Sequence, residues 1–286
     1  MSNVKNITNY MDPFTHSKVN SEDGTVIGYQ SIGEGPSLIV IHGALSTSDN
    51  YRKFAQELSD SFTVHVMDRR GRGMSGPQGS EYSISKECED VKAVQEATGA
   101  NYVFGHSFGG LVTLEAARTN TSFTKMALYE PGVSVNSLPT DWDWISEYEQ
   151  AMKQKDFRGA FASFVRGAGH TPLKRMPKWY VKFLLRMMIR GDRWNQIETL
   201  LPSNLNEHKE VQRLESTYRN YQVINADLLL ISGEKSPESV HQMIRVLDDT
   251  ISQTQTIMLP NLNHLSPENE NRPVEVAKQI KQYFLN

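Results

Sequence analysis

The stretch Gly105-His106-Ser107-Phe108-Gly109-Gly110 decides how this sequence is interpreted. It matches the pattern G-x-S-x-G, follows the apolar run Tyr102-Val103-Phe104 and precedes a helix-like stretch from Leu111 to Arg118. A serine on a sharp turn between a strand and a helix is held in a strained conformation that lifts its hydroxyl clear of the backbone. The pentapeptide alone would also fit an ordinary glycine-rich turn. Its position between a strand and a helix predicts an exposed nucleophile at Ser107.

Two further segments support this interpretation. Leu38-Ile39-Val40-Ile41-His42-Gly43-Ala44 is an apolar run of the kind buried in a parallel sheet, and it ends in a His-Gly turn. Near the C-terminus, Asn263-His264 follows the strand-like stretch 254–259 and precedes a predicted helix from Pro273 to Phe284. A serine early in the chain and a histidine late are expected when both project from the C-terminal edge of one parallel sheet.

The rest of the chain alternates between strand and helix patterns, with one long interruption. Ser21-Glu22-Asp23-Gly24 is typical of a hairpin turn, so the sheet should open with antiparallel strands. The later strands and helices are joined by short connections, which imply right-handed crossovers and a parallel sheet. Between about residues 131 and 223 the pattern is helical and includes all four tryptophans. Strands resume at Asp227-Leu228-Leu229-Leu230-Ile231.

Taken together, these segments resemble the serine hydrolases of the α/β-hydrolase fold. The resemblance rests on His42-Gly43, on the stretch Asp68-Arg69-Arg70-Gly71-Arg72-Gly73-Met74-Ser75-Gly76, on Gly105 to Gly110 and on Asn263-His264. It implies an α/β fold with a mostly parallel sheet of about eight strands flanked by helices. It also implies a core formed by residues 1–132 and 223–286. Residues 133–222 would form a helical cap, inserted after the sixth strand, that roofs the substrate pocket.

The same resemblance implies a mechanism. Ser107 would attack an acyl carbonyl, and His264 would take its proton and later pass it to the leaving group. The backbone amides of Ala44 and Phe108 would form the oxyanion hole. Water would then hydrolyse the acyl-enzyme.

The carboxylate that orients the histidine is displaced from its usual place. Most such hydrolases carry an aspartate three residues after the glycine that follows this strand, but Gly233-Glu234-Lys235-Ser236 puts a serine there, which cannot supply negative charge. Some branches, including haloalkane dehalogenases, take the acid from the end of the preceding strand. Glu130 in Leu128-Tyr129-Glu130-Pro131 is therefore the first candidate, and Glu234 is the alternative. A Ser-His dyad, and structural roles for both glutamates, stay open.

Other motifs are interpreted as structural. Gly71 to Gly76 matches G-x-G-x-x-G, but Pro77-Gln78-Gly79 follows, so no helix opens there to receive a pyrophosphate. Asp68 and Arg69 are expected to fasten that loop, and His42 and His106 to pack or form hydrogen bonds. The eight histidines lack paired spacing and there is no C-x-x-C, so neither a metal site nor a cofactor is expected.

Composition narrows the class of protein. The formal charge of -3 over 286 residues gives no reason to expect a nucleic-acid partner. The single cysteine, Cys88, excludes an internal disulfide and is interpreted as a core residue. Met1 to Pro13 lacks the features of a secretory signal, and no apolar run is long enough to span a bilayer. A cytoplasmic protein without integral membrane contact is expected, with homo-oligomerisation left open.

One part of the predicted cap is strongly basic. Between Lys153 and Arg193 the only acidic residues are Asp156 and Asp192. Four basic side chains recur at intervals of four residues, which places them on one helical face. Such a helix can bind anionic lipid, but a solvated outer face is the favoured interpretation, with Leu184, Leu185 and Met188 turned to the pocket or core. The four basic residues are Lys178, Lys182, Arg186 and Arg190.

Three functions fit these patterns. The favoured one is hydrolysis of a carboxylic ester, lactone or related small acyl compound, because the serine, the histidine and both oxyanion positions are present. Asp68-Arg69-Arg70-Gly71 with a serine nucleophile is also similar to cofactor-free perhydrolases, in which peroxide intercepts the acyl-enzyme. The third is a non-catalytic small-molecule receptor of the same fold, which an exposed apolar cap surface would favour.

Overall fold

The computed structural model describes residues 12–119, 122–135, 141–168 and 172–286. Met1 to Met11, on which the expectation about a secretory signal mainly rests, lie outside these residues. The described chain forms one eight-stranded sheet in the order β1-β2-β4-β3-β5-β6-β7-β8. The strands are β1 Thr15–Asn20, β2 Val26–Ile32, β3 Ser37–Ile41, β4 Thr63–Met67, β5 Tyr102–His106, β6 Lys125–Tyr129, β7 Asp227–Gly233 and β8 Thr254–Leu259.

Most of this sheet is parallel, as predicted. β1 and β2 pair antiparallel, and β2 also runs antiparallel to β4. The predicted hairpin turn joins β1 to β2, with the Ser21 amide donating to the carbonyl oxygen of Thr25 and Gly24 at a φ of 82°. All pairs from β4 through β3, β5, β6 and β7 to β8 are parallel. Their C-terminal ends therefore meet along one edge of the sheet.

Helices cover both faces of the sheet because successive strand residues point to opposite sides. In β3, Ile39 and Ile41 join one buried apolar cluster, and Leu38 and Val40 join the other. The first cluster also includes residues of α2, α3 and α8, and the second includes residues of α1 and α9. Cys88 of α2 packs against the first cluster, as predicted. These helices are α1 Arg52–Leu58, α2 Ile84–Thr98, α3 Phe108–Thr119, α8 Glu238–Thr250 and α9 Pro273–Leu285.

In the described part of the segment between β6 and β7, where a cap was predicted, there are four α-helices. They form a third apolar cluster around Trp144, Tyr148 and Leu201, to which Leu45 of the core also contributes. The boundaries predicted for the cap, residues 133 and 222, stay a prediction, and residues 136–140 and 169–171 lie outside the described chain. The four helices are α4 Asp143–Lys153, α5 Phe157–Gly167, α6 Lys178–Met188 and α7 Gly191–Arg213.

The orientation predicted for α6 is wrong in part. Val181 and Leu185 are buried and Leu184 is half-buried, but Met188 is 77 % exposed. Helical spacing alone put Met188 on the buried side. Because it is the last residue of the helix, no following turn covers it. Among the described residues, no helix is both long and apolar enough to cross a membrane.

Candidate active site

Ser107 lies on the turn between β5 and α3, in a strained backbone conformation. Its φ is 53°, in the left-handed region that non-glycine residues rarely adopt. Its amide donates to the carbonyl oxygen of Tyr129 at 3.0 Å, and its own carbonyl oxygen accepts from the amides of Gly110 and Gly132 at 2.9 and 2.7 Å. These three bonds hold the turn from both sides and expose the hydroxyl at the C-terminal edge of the sheet.

The glycines around Ser107 are required by close packing. A Cβ atom on Gly109 would collide with the carbonyl oxygens of Ile41 and His42, at the end of the neighbouring strand. A Cβ on Gly105 would collide with the hydroxyl of Thr113. The G-x-S-x-G pattern therefore reflects how tightly α3 packs against β3 and β5.

The structure brings Ser107, His264 and Glu130 together in one chain of hydrogen bonds. The Oγ atom of Ser107 lies 3.0 Å from Nε2 of His264, and Nδ1 of His264 lies 2.7 Å from Oε2 of Glu130. Because a carboxylate accepts and does not donate, Nδ1 carries the proton and Nε2 faces the serine with its lone pair. This tautomer is the one that can accept a proton from Ser107.

Glu130 occupies a polar socket at the end of β6. Its φ is 45°, and its Oε1 atom accepts from the Gly233 amide at 2.8 Å and from the Ser236 hydroxyl at 2.6 Å. Burial raises the pKa of Glu130, but the hydrogen bonds from His264, Ser236 and Gly233, together with the attraction of an imidazolium at His264, outweigh burial and lower it from 4.5 to about 2. Ser236 occupies the position where related hydrolases carry aspartate. Its hydroxyl therefore supports Glu130, the carboxylate that takes the place of that aspartate.

The alternative acid, Glu234, points elsewhere. Its Oε2 atom accepts from the Asn261 amide at 2.8 Å in an exposed loop. Of the two glutamates proposed from the sequence, the structure places Glu130 beside His264.

Two backbone amides near Ser107 are available to a ligand. Phe108 is the first residue of α3, so its amide has no partner within the helix. The Gly43 amide donates to the hydroxyl of Tyr51 at 3.3 Å, which leaves the next amide, that of Ala44, as the free donor of this turn. Neither the Ala44 nor the Phe108 amide has a hydrogen-bond partner within the described chain, and both residues line the cavity at Ser107.

A second set of hydrogen bonds, centred on Tyr51, holds the histidine loop. Nε2 of His106 donates to the carbonyl oxygen of His264 at 2.8 Å, and Nδ1 of His106 accepts from the Tyr51 hydroxyl. Because Tyr51 also accepts from Gly43, it links the turn after β3 to the loop of His264. His106 was predicted to form hydrogen bonds. Tyr51 was missed, because nothing in its sequence context separates it from other core tyrosines.

A buried ion network lies beneath the turn after β3. The Arg69 guanidinium pairs with Glu87 of α2 at 2.9 Å and Glu207 of α7 at 2.8 Å, and it donates to the carbonyl oxygen of His42 at 3.2 Å. Removing one partner from such a network leaves an uncompensated buried charge, which costs about 3–5 kcal/mol. The predicted structural role of Arg69 therefore includes joining α7 to the core. Neither Glu87 nor Glu207 was predicted from the sequence.

The other loop residue, Asp68, fastens the stretch that contains the G-x-G-x-x-G pattern. Its Oδ1 atom accepts from the Ser48 amide at 2.8 Å and its Oδ2 atom from the Met74 amide at 2.9 Å. The next helix begins only at Ile84. This stretch is therefore a loop, as the sequence indicated.

A cavity of about 650 Å³ opens onto Ser107 and His264. Core and cap residues line it together, with Val240 and Met243 from α8 and aromatic side chains from the cap. Within the described ranges, no group of three or more His, Cys, Asp or Glu side chains could hold a metal ion. The arrangement suits an apolar organic molecule whose reactive group lies at Ser107. The aromatic lining residues are Trp142, Trp144, Phe161 and Phe164.

Known proteins share this fold and part of this sequence. A solved structure of an alpha/beta hydrolase from Sphaerobacter thermophilus DSM 20745 has a TM-score of 0.80 at 26% identity, covering 94% of this chain and 100% of that chain. An N-formylmaleamate deformylase of Pseudomonas putida is 28% identical over 144 residues, 46% of this chain and 53% of the relative. A pimeloyl-(acyl-carrier protein) methyl ester esterase of Stenotrophomonas maltophilia is 28% identical over 149 residues, 48% of this chain and 55% of the relative.

The chain thus spans about half the length of these two curated relatives. A family model described as alpha/beta hydrolase fold matches residues 36–270, which is most of the chain. The chain therefore belongs to the alpha/beta hydrolase fold family.

Proposed function

We propose that the protein is a serine hydrolase that cleaves a carboxylic ester, lactone or related small acyl compound. The observation that carries this proposal is the hydrogen-bonded chain from Ser107 through His264 to Glu130, at the end of an apolar cavity. The names of two relatives, a deformylase and a methyl ester esterase, support it.

Each step of the proposed reaction has a residue in position. Oγ of Ser107 attacks the acyl carbonyl while Nε2 of His264 takes the hydroxyl proton, and the Ala44 and Phe108 amides bind the negative oxygen that forms. Glu130 stabilises the resulting imidazolium, which then protonates the leaving group. Water repeats the sequence on the acyl-enzyme, so the acid is released and Ser107 is regenerated.

Labelling with a fluorophosphonate tests the proposal, because the reagent phosphonylates only an activated serine, with loss of fluoride. We expect stoichiometric labelling at Ser107, located by peptide mass spectrometry, and steady turnover of a short p-nitrophenyl ester by the unlabelled protein. Turnover of the ester with no label on Ser107 would contradict the mechanism.

The same samples separate the two alternatives. Peracid formation when hydrogen peroxide is added would favour a perhydrolase, since the acyl-enzyme would then react with peroxide instead of water. A receptor would bind an acyl ligand tightly with no turnover. The exposed apolar surface of α6 is the observation that favours this second candidate.

His208 offers a polar contact inside the apolar cavity. Its Nδ1 atom donates to the carbonyl oxygen of Asn204 at 2.8 Å, so in the neutral ring Nε2 is an acceptor. Burial lowers the pKa of His208 and favours this neutral form. The ring is held edge-on against Trp144 and Phe164, with centroids 5.4 and 4.9 Å away. In the described parts of the chain, no group donates to Nε2.

We therefore expect the protein to prefer acyl groups that carry a hydroxyl or N–H donor within reach of His208. Replacing His208 with phenylalanine keeps a ring between the two aromatic side chains but removes the acceptor. This variant should lower kcat/KM for a hydroxyalkanoyl ester by about tenfold or more and leave the matching alkanoyl ester nearly unchanged. The measurement is the ratio of the two kcat/KM values. Equal losses for both esters would mean that His208 only supports packing.

A further inference from the structure

The outer side of α6 carries an unusual concentration of exposed apolar side chains. Ten large hydrophobic side chains are exposed among the described residues, and five of them lie in this 11-residue helix. They include Trp179 at 72 %, Phe183 at 54 % and Met187 at 53 % exposure. Single exposed hydrophobic residues need no explanation, but a contiguous group of this kind marks an interaction site.

These side chains form a ridge opposite the buried side of the helix. Val181 and Leu185 pack inward against the other cap helices. Trp179, Phe183 and Met187 are spaced four residues apart, so they lie on one face and together form what we term the α6 ridge. The helix is therefore apolar on two opposite sides, and the cap itself covers only one of them.

A basic row, formed by Lys178, Lys182, Arg186 and Arg190, lies beside the ridge. Residues 157–191 contain eight basic residues and no acidic ones, although the whole chain has a net charge of -3. Lys178 and Lys182 reach acidic residues of neighbouring helices, Glu147 at 3.4 Å and Asp156 at 2.7 Å. Among the described residues of this region, five cations pair with no carboxylate. Arg158 lies over the ring of Trp194, and the other four are exposed: Lys174, Arg175, Arg186 and Arg190.

We propose that the α6 ridge and its unpaired cations dock the cap onto the surface of an anionic lipid bilayer. Aromatic and apolar side chains would enter the boundary between headgroups and acyl chains, and the cations would meet the lipid phosphates. The net negative charge of the protein opposes this only weakly, because interactions between exposed charges are largely screened beyond about 8 Å at physiological salt. Docking does not depend on which reaction the protein catalyses.

A second copy of the chain fits this surface less well. In a two-fold contact the same patch meets itself, so each α6 ridge would bring its basic row close to the basic row of the partner. Like charges in such a contact repel each other. An anionic surface instead complements both the apolar ridge and the cations.

Docking would also orient the cavity. Lys174, just before α6, and Ile189 and Arg193, just after it, line the same cavity as Ser107. Lys174 and Arg193 are exposed, so they belong to its rim. A bilayer on the α6 ridge would lie next to this rim.

Vesicle co-sedimentation of the whole protein tests the proposal. We expect binding to vesicles of phosphatidylcholine mixed with phosphatidylglycerol, much weaker binding to phosphatidylcholine alone, and loss of binding as salt is raised. Changing Lys174, Arg175 and Arg186 together to glutamine should weaken binding about a hundredfold, since each cation near an anionic surface contributes about 1 kcal/mol. No binding to the anionic vesicles would overturn the proposal, as would equal binding to both vesicle types.

Changes to the ridge isolate its apolar part. Trp179→Ala with Phe183→Ala should weaken vesicle binding at least tenfold. Met258→Ala should not change it, because this methionine is as exposed as Met187 of the ridge but lies in β8. Thermal melting checks that each variant is folded, and Phe183→Ser alone replaces the double variant if that one is not. Unchanged vesicle binding by the ridge variant would overturn the proposal. A wild-type dimer that the ridge variant converts to a monomer, without vesicle binding, would assign the surface to a second copy.

Discussion

Replacing Ser107 with alanine is expected to lower kcat for ester hydrolysis by at least about four orders of magnitude. The change removes only the Oγ atom that lies 3.0 Å from Nε2 of His264, so no acyl-enzyme can form. The left-handed backbone at φ 53° costs about the same conformational energy with alanine as with serine, so the melting temperature should change little. The measurement is kcat for a p-nitrophenyl ester together with fluorophosphonate labelling, which should disappear.

Ser163→Ala is the matched control for this variant. Ser163 is buried in α5, lies outside the cavity lining, and its hydroxyl has no hydrogen-bond partner within the described residues. Full activity is expected from this control. If Ser107→Ala kept more than about a hundredth of the wild-type kcat, another nucleophile or direct attack by water would have to be considered.

Local features of the sequence were sufficient to predict the parallel sheet and the turn at Ser107. Strand alternation, glycine positions and the hairpin turn at Gly24 each depend on residues close together in the chain. Close packing at Gly105 and Gly109 explains why the pattern around Ser107 was informative, because a side chain at either position would collide with a neighbouring element. Such local constraints can be recognised in the sequence as required residue types at fixed spacings.

Pairings between residues far apart in the chain produce no such local pattern. Arg69 and Glu207 are 138 residues apart, and nothing in either local context predicts that they meet. The α6 helix shows a different limit. By helical spacing Met188 shares a side with the buried Val181 and Leu185, but periodicity does not show that the packing ends before the last residue of the helix. The choice between Glu130 and Glu234 likewise depended on two loops that only the folded chain brings together.

Replacing Glu130 with glutamine is expected to lower kcat/KM by about three orders of magnitude. Glutamine has nearly the same shape and can still accept from the Gly233 amide, but it has no charge to stabilise the imidazolium. Its amide group facing Nδ1 would also favour the tautomer that presents a proton to Ser107. The control is Glu234→Gln, which removes an exposed carboxylate that, among the described residues, bonds only to the Asn261 amide, and it should keep full activity. Comparing kcat/KM of the two variants separates the candidate acids.

A double exchange distinguishes the orienting role of the carboxylate from a purely structural one. The Ser236 hydroxyl lies 2.6 Å from Oε1 of Glu130, so an aspartate at position 236 would begin beside the carboxylate it replaces. Glu130→Ser combined with Ser236→Asp should therefore recover at least about tenfold in kcat/KM over Glu130→Gln. Recovery would show that His264 needs a negative charge at this place and not glutamate itself. Full activity of Glu130→Gln would instead indicate a Ser107–His264 dyad, because the buried charge would then contribute to the fold and not to the reaction.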